Sequence, residues 1–205
     1  MRLLLCGAAA LCLAACGQTA SNSASASASA AATPATTSTT SAAPAAPAGA
    51  APAAPTPAEV RAMIQRDGAQ ATVAALWNAT SADGGSSRWD AVETAIASGD
   101  QAWLDLYPLL APGTDAGTSE GIGMALTAAL TTQNAAGALR VMSGMGAETV
   151  TGMCQDSTIE PTPEHLRTFY SQAIARVEAI SDPALASAKA SCLAALRANQ
   201  PAAAR

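Results

Sequence analysis

The sequence predicts an all-α fold: a small bundle or helical-hairpin stack of about six to seven helices behind a disordered tether. Three observations point that way. From residue 58 onward apolar residues recur at spacings of three and four, as in Trp89, Val92 and Ile96. No run alternates apolar and polar residues with the β-branched content of a strand. Helix-start signals repeat: Thr-Pro stands at 56–57 and at 162–163, each followed by a glutamate in the first turn, Glu59 and Glu164.

The elements follow in order. "TPAEV" opens the first helix, with Thr56 as N-cap, Pro57 at the first helical position and Glu59 three residues after the cap. Val60, Met63, Ile64, Ala71 and Leu76 approximate its apolar face, and Gly68 weakens its middle. "SADGGSS" breaks the chain before a second helix from about Ser87. Gly99 suits a left-handed helix end, and Asp100 caps a third helix filled by Trp103, Leu104, Tyr107 and Leu110. A fourth runs from about Thr118 to Thr131 with Ile122, Leu126, Ala129 and Leu130 inward, and Asn134 caps a short fifth ending near Met142. The stretch "GMGAETVTGMCQ" reads as irregular. "TPEHL" then starts a helix striped by Leu166, Phe169, Tyr170, Ile174, Val177 and Ile180. The last helix begins in "SDPALASAKASCLAAL", with Leu185, Ala188, Cys192 and Leu196 on one side. The pairs at about 88–110 and 118–142 match in size and suggest a helical-hairpin repeat.

Ahead of this domain the composition changes twice. Residues 17 to about 55 are nearly all Ala, Ser, Thr and Pro, with no charged side chain and nothing bulky to bury. Such a segment cannot offset its ordering entropy, so a tether is expected. Before it, Met1–Ala15 has the layout of an export signal: Arg2, then an apolar run from Leu3 to Leu13 too short to span a bilayer. The expected organisation is a signal at 1–15, an anchor and tether at 16–57, and a helical domain at 58–205.

Leu13-Ala14-Ala15-Cys16 resembles the lipobox of bacterial lipoproteins: an aliphatic residue, two small residues and a cysteine. The resemblance covers only the first sixteen residues and says nothing of the domain. It implies that Cys16 takes a lipid on its thiol and becomes the mature N-terminus. Small residues admit the backbone to a peptidase, and the thiol is the nucleophile that accepts the lipid. Gly17 in place of an aspartate implies, by the same resemblance, the outer membrane of a two-membrane cell, facing the periplasm.

Of the five cysteines, Cys6 and Cys12 leave with the signal and Cys16 is the lipid site. The remaining pair, Cys154 and Cys192, is expected to form a disulfide in an exported domain. If the two final helices form an antiparallel hairpin, the end of the last returns beside the start of the one before, and the pair meets.

A catalytic constellation is harder to find. His165 is the only histidine and stands in a first turn, where a surface or capping role is expected. There is no HExxH, no GxSxG and no phosphate-binding lysine after the glycines of "GTDAGTSEGIGM". Asp115 and Glu120 are a conceivable carboxylate pair, but acids near a helix N-terminus more simply serve its dipole. Asp90, Glu93, Asp100 and Asp105 read as solvated faces and caps. A net charge of −5 offers no footprint for nucleic acid. No metal and no cofactor are expected. The functional expectation is a non-catalytic, lipid-anchored binding or scaffolding module of the cell envelope, with a protein partner there; an immunity-type protein is one form of it. The alternative is an envelope hydrolase acting on peptidoglycan or peptide through Glu120, Asp115 or His165.

Overall fold

The computed structural model describes residues 53–80 and 85–201. The signal, Cys16 and the tether as far as residue 52 lie outside the described residues. Within them the chain is all-α: the sole departure is an isolated antiparallel bridge between Thr80 and Ser87. The expected six to seven helices emerge as a longer series of shorter segments: α1 Pro57–Asp67, α2 Ala69–Asn78, α3 Arg88–Ala97, α4 Gln101–Leu104, α5 Tyr107–Leu110, α6 Ala116–Ala128, α7 Ala135–Met145, α8 Ala147–Met153, α9 Pro163–Glu178 and α10 Ala186–Asn199. Single 3₁₀ turns at 111–113, 129–131 and 183–185 join or extend them.

Three differences from the sequence-based expectation have local causes. Gly68, at φ +82°, ends α1 and starts α2, so the helical phase is reset. Thr72 and Val73 therefore turn inward, whereas Ala71 is exposed. The expected third helix breaks into α4 and α5 at Asp105–Leu106, just before Pro108, whose missing N–H suits the first turn of α5. Part of the stretch read as irregular is α8, which buries Val150 alone among its residues and has no side-chain N-cap.

The caps expected at Thr56, Asp100, Asn134 and the second Thr-Pro start, Thr162, form: each of these residues accepts a backbone N–H at the start of its helix, and Ser87 does the same for α3. Packing begins slightly ahead of residue 58. Pro55 is buried, the Ala53 carbonyl accepts Arg88 Nε at 3.2 Å, and Glu59 pairs with Arg88 at 2.6 Å, fixing α1 to the start of α3.

The two size-matched pairs seen in the sequence pack element on element. α3 lies against α6, and α4 against α7. Glu93 lies against Gly121 at one end of the α3–α6 contact and Gly99 against Thr132 at the other, so the two helices run in the same direction. Val92 and Ile96 on α3 correspond in position to Leu126 and Leu130, all fully buried. The Asn134 amide ties the two hairpins together, donating to the Gly99 carbonyl and to Gln101 Oε1, each at 2.9 Å. The core between them holds Trp89, Leu104, Leu110, Ile122, Leu139 and Met142. α9 and α10 complete the domain, with Phe169, Tyr170, Val177 and Leu196 buried.

Candidate functional site

A cleft of about 320 Å³ opens between α3, α6, the loop after α8 and the first turns of α9. From α3 come Glu93, Thr94 and Ala97. From α6 come Gly121, Met124, Ala125, Thr127 and Ala128. The loop gives Asp156, Ser157 and Thr158, and α9 gives His165 and Phe169.

The loop is held at its root. Cys154 and Cys192 are bonded, S–S 2.03 Å with Cα atoms 5.2 Å apart. The pair meets because Cys154 caps the end of α8 and α10 packs on α8 as well as on α9. One residue earlier, the Met153 carbonyl accepts Thr127 Oγ1 at 3.2 Å. These two ties set Asp156 in place. Its Oδ1 accepts the Thr158 N–H at 2.8 Å, and its own N–H is donated to the Tyr170 hydroxyl at 3.3 Å.

His165 meets Asp156 from the other side. Its backbone N–H donates to Oγ1 of the N-cap Thr162 at 3.1 Å. Its ring does more: Nε2 lies 2.7 Å from Asp156 Oδ2 and 3.0 Å from Thr158 Oγ1. The Asp156 side chain is only 3% exposed, the His165 side chain 44%. Phe169, one turn on, stacks along the imidazole with centroids 6.5 Å apart.

This arrangement limits the chemistry. In a nucleophile–histidine–acid relay the hydroxyl and the carboxylate take opposite ring nitrogens. Here both converge on Nε2. An Nε2–H directed to Asp156 leaves no lone pair there to accept the Thr158 proton. Thr158 is therefore not activated by His165.

Glu93 is the other acid of the cleft. Burial raises its carboxyl pKa above the ordinary glutamate value; the nearby Trp89 indole N–H opposes this, and Asp90 adds to it. Trp89 Nε1 is itself fully buried and falls short of hydrogen-bond geometry with any acceptor. The carboxyl fits against α6 because residue 121 is glycine; a methyl group there would collide with Glu93 Oε1.

The residues singled out from sequence are thus separated. His165 is in the cleft. Asp115 is not: it forms a capping box with Thr118 at the start of α6, whose N–H groups and hydroxyl hold its pKa below the usual carboxylate value. It lines a different hollow, with Trp77 and Gln70. Glu120 is exposed on α6 and lines neither. The carboxylates that do join His165 are Glu93, expected from sequence to be a solvated acid or cap, and Asp156, which no motif in the sequence marks. Among the described residues no three His, Cys, Asp or Glu side chains gather as metal ligands. The chain matches no protein-family model, and no match emerges among curated proteins or solved structures.

Proposed function

We propose that this chain is a lipid-anchored bacterial cell-envelope protein whose helical domain is a non-catalytic binding module. The lipobox-like run ending in Cys16 supports the anchor, and the uncharged tether gives the domain reach. Fully extended, about forty residues at ~3.3 Å each span on the order of 130 Å. The observation that carries the binding reading is the cleft itself. It is a preformed hollow with an apolar wall and a few convergent polar groups, which is how ligand sites are generally built. Its imidazole is engaged by both the Thr158 hydroxyl and Asp156 in a pattern that supports recognition rather than nucleophilic attack. The partner is an envelope protein that presents a group to this cleft.

The test is site-specific photo-crosslinking in the producing cell. A photoreactive side chain at Thr94, in the cleft, should capture a discrete adduct, and one at Arg61 on α1 should not. Equal capture at both positions, or none at Thr94, would refute the binding reading.

One observation favours the hydrolase alternative: a carboxyl of raised pKa shares a cleft with a carboxylate–imidazole pair, a pattern used in acid–base catalysis. On that reading His165 and Glu93, not Asp115 or Glu120, carry the chemistry. Incubation with peptidoglycan fragments and with peptides separates the two readings. Cleavage by the wild type that disappears in both His165→Ala and Glu93→Gln, with the fold intact, selects the hydrolase.

A further inference from the structure

We propose that the cleft binds an alkylammonium group, a lysine-type side chain or a free diamine, with Glu93 as its counter-charge. This rests on the cleft being the binding site of the module and names what it takes.

Three features select that chemistry. The first is charge. Among the described residues that line the cleft there is no lysine or arginine. The ion pairs among the described residues engage Glu59, Asp67, Asp156, Glu178 and Asp182, but not Glu93. Asp156 has both oxygens occupied, one by the Thr158 N–H and one by His165. Glu93 is left as a half-buried carboxyl with acceptor capacity and no cation. A ligand ammonium would meet a partner already stripped of part of its hydration, where a charge pair is stronger than at an open surface.

The second feature is shape. Ala97, Met124, Ala125 and Phe169 give the cleft an apolar wall that suits the methylene stem of such a ligand while its charged end reaches the acid. An anion would be repelled by Glu93, and an uncharged ligand would leave the carboxyl desolvated and unpaired.

The third feature is the absent side chain at residue 121. The carboxyl occupies the space that a Cβ there would fill. Glycine at that helical position costs helix stability, and the room it leaves is used by the acid.

The experiment is calorimetric titration of the full chain in detergent at neutral pH. The probes are Nα-acetyl-lysine-N-methylamide, its Nε-acetylated form and cadaverine. The free amines should bind saturably and the Nε-acetylated compound should not. Tighter binding of the lysine amide assigns a polypeptide side chain as the source, and tighter binding of cadaverine a free diamine. Glu93→Gln should weaken binding about tenfold or more, as loss of one charge of a partly buried pair does. Gly121→Ala keeps the charge but evicts the carboxyl, and should weaken binding as well. Glu120→Gln, on the same helix outside the cleft, should bind like the wild type. Equal binding of acetylated and free amine overturns the proposal. So does wild-type affinity in a folded Glu93→Gln protein, or the absence of saturable binding by either amine. Failure of the amines with crosslinking at Thr94 intact means the wrong ligand chemistry for a real site; failure of the crosslink means the wrong site.

Discussion

A methyl group added at residue 121 would overlap the Glu93 carboxyl, whose end is the flexible part of that contact. Gly121→Ala should therefore be tolerated by the fold. Removing a mid-helix glycine stabilises by about 0.5–1 kcal/mol, and pushing the acid out relieves its desolvation. The expected result is a higher melting temperature together with poorer ligand binding. Glu93 itself sets a pH dependence. Its folded pKa is raised by burial, so the folded state holds the proton more firmly than the unfolded chain does. The resulting penalty is absent below the ordinary glutamate pKa of about 4.3 and grows as pH rises through the folded value. Glu93→Gln should thus be more stable than wild type at neutral pH and show no advantage near pH ~3.5, readable by denaturant melts at both. His165 was legible as a candidate because it is the only histidine. Glu93 was not, because its setting depends on a glycine in another helix, and nothing in the spacing of α3 alone distinguishes it from a solvated acid.

Helix starts were the most legible elements, since each cap is a local event: Thr56, Asp100, Asn134 and Thr162 bond backbone groups two or three residues away. Helix continuity was less legible. The break at Gly68 and the break before Pro108 depend on where the flanking segments find partners, which single-helix periodicity does not record. α8 lacked both a side-chain cap and a broad apolar stripe, so its helical state comes from packing against α7 and α10. Two predictions belong to this scale. Asn134→Ala removes the cap of α7 and the ties to Gly99 and Gln101, and should cost about 1–2 kcal/mol, with amide exchange accelerating first at the start of α7. Replacing both Cys154 and Cys192 by alanine should cost on the order of 4 kcal/mol in the chain-entropy model, for a closed loop whose ends are 38 residues apart. Urea melts of the double variant measure that loss directly; a change within error would mean that the unfolded chain is already constrained there.

For the molecule as a whole, the proposed anchor and tether are separable from the domain by composition, and each has its own prediction. Cys16→Ser should move the protein from the membrane fraction to the soluble fraction, and the wild-type mature N-terminus should be lipidated Cys16. A mature N-terminus elsewhere, found by mass spectrometry, sinks the anchor. Deleting residues 17–52 should leave the melting temperature of the domain unchanged, because they hold no charged or bulky side chain to bury.

The Cys154–Cys192 bridge also bears on when the protein becomes competent. Asp156 stands two residues beyond Cys154, and with Met153 bonded to Thr127 that bridge is what fixes the root of the loop. A newly made chain in a reducing compartment lacks it. Its recognition surface would then be incomplete during synthesis and transit, and would assemble only where thiols are oxidised. On the proposed envelope location, oxidation after export would act as a clock: the proposed anchor would set where the protein sits, and the bridge when its cleft is assembled. The ring signals of His165 and Phe169 should report this in an NMR comparison of oxidised and reduced protein. Identical spectra in the two states would show that the loop keeps its place without the bridge.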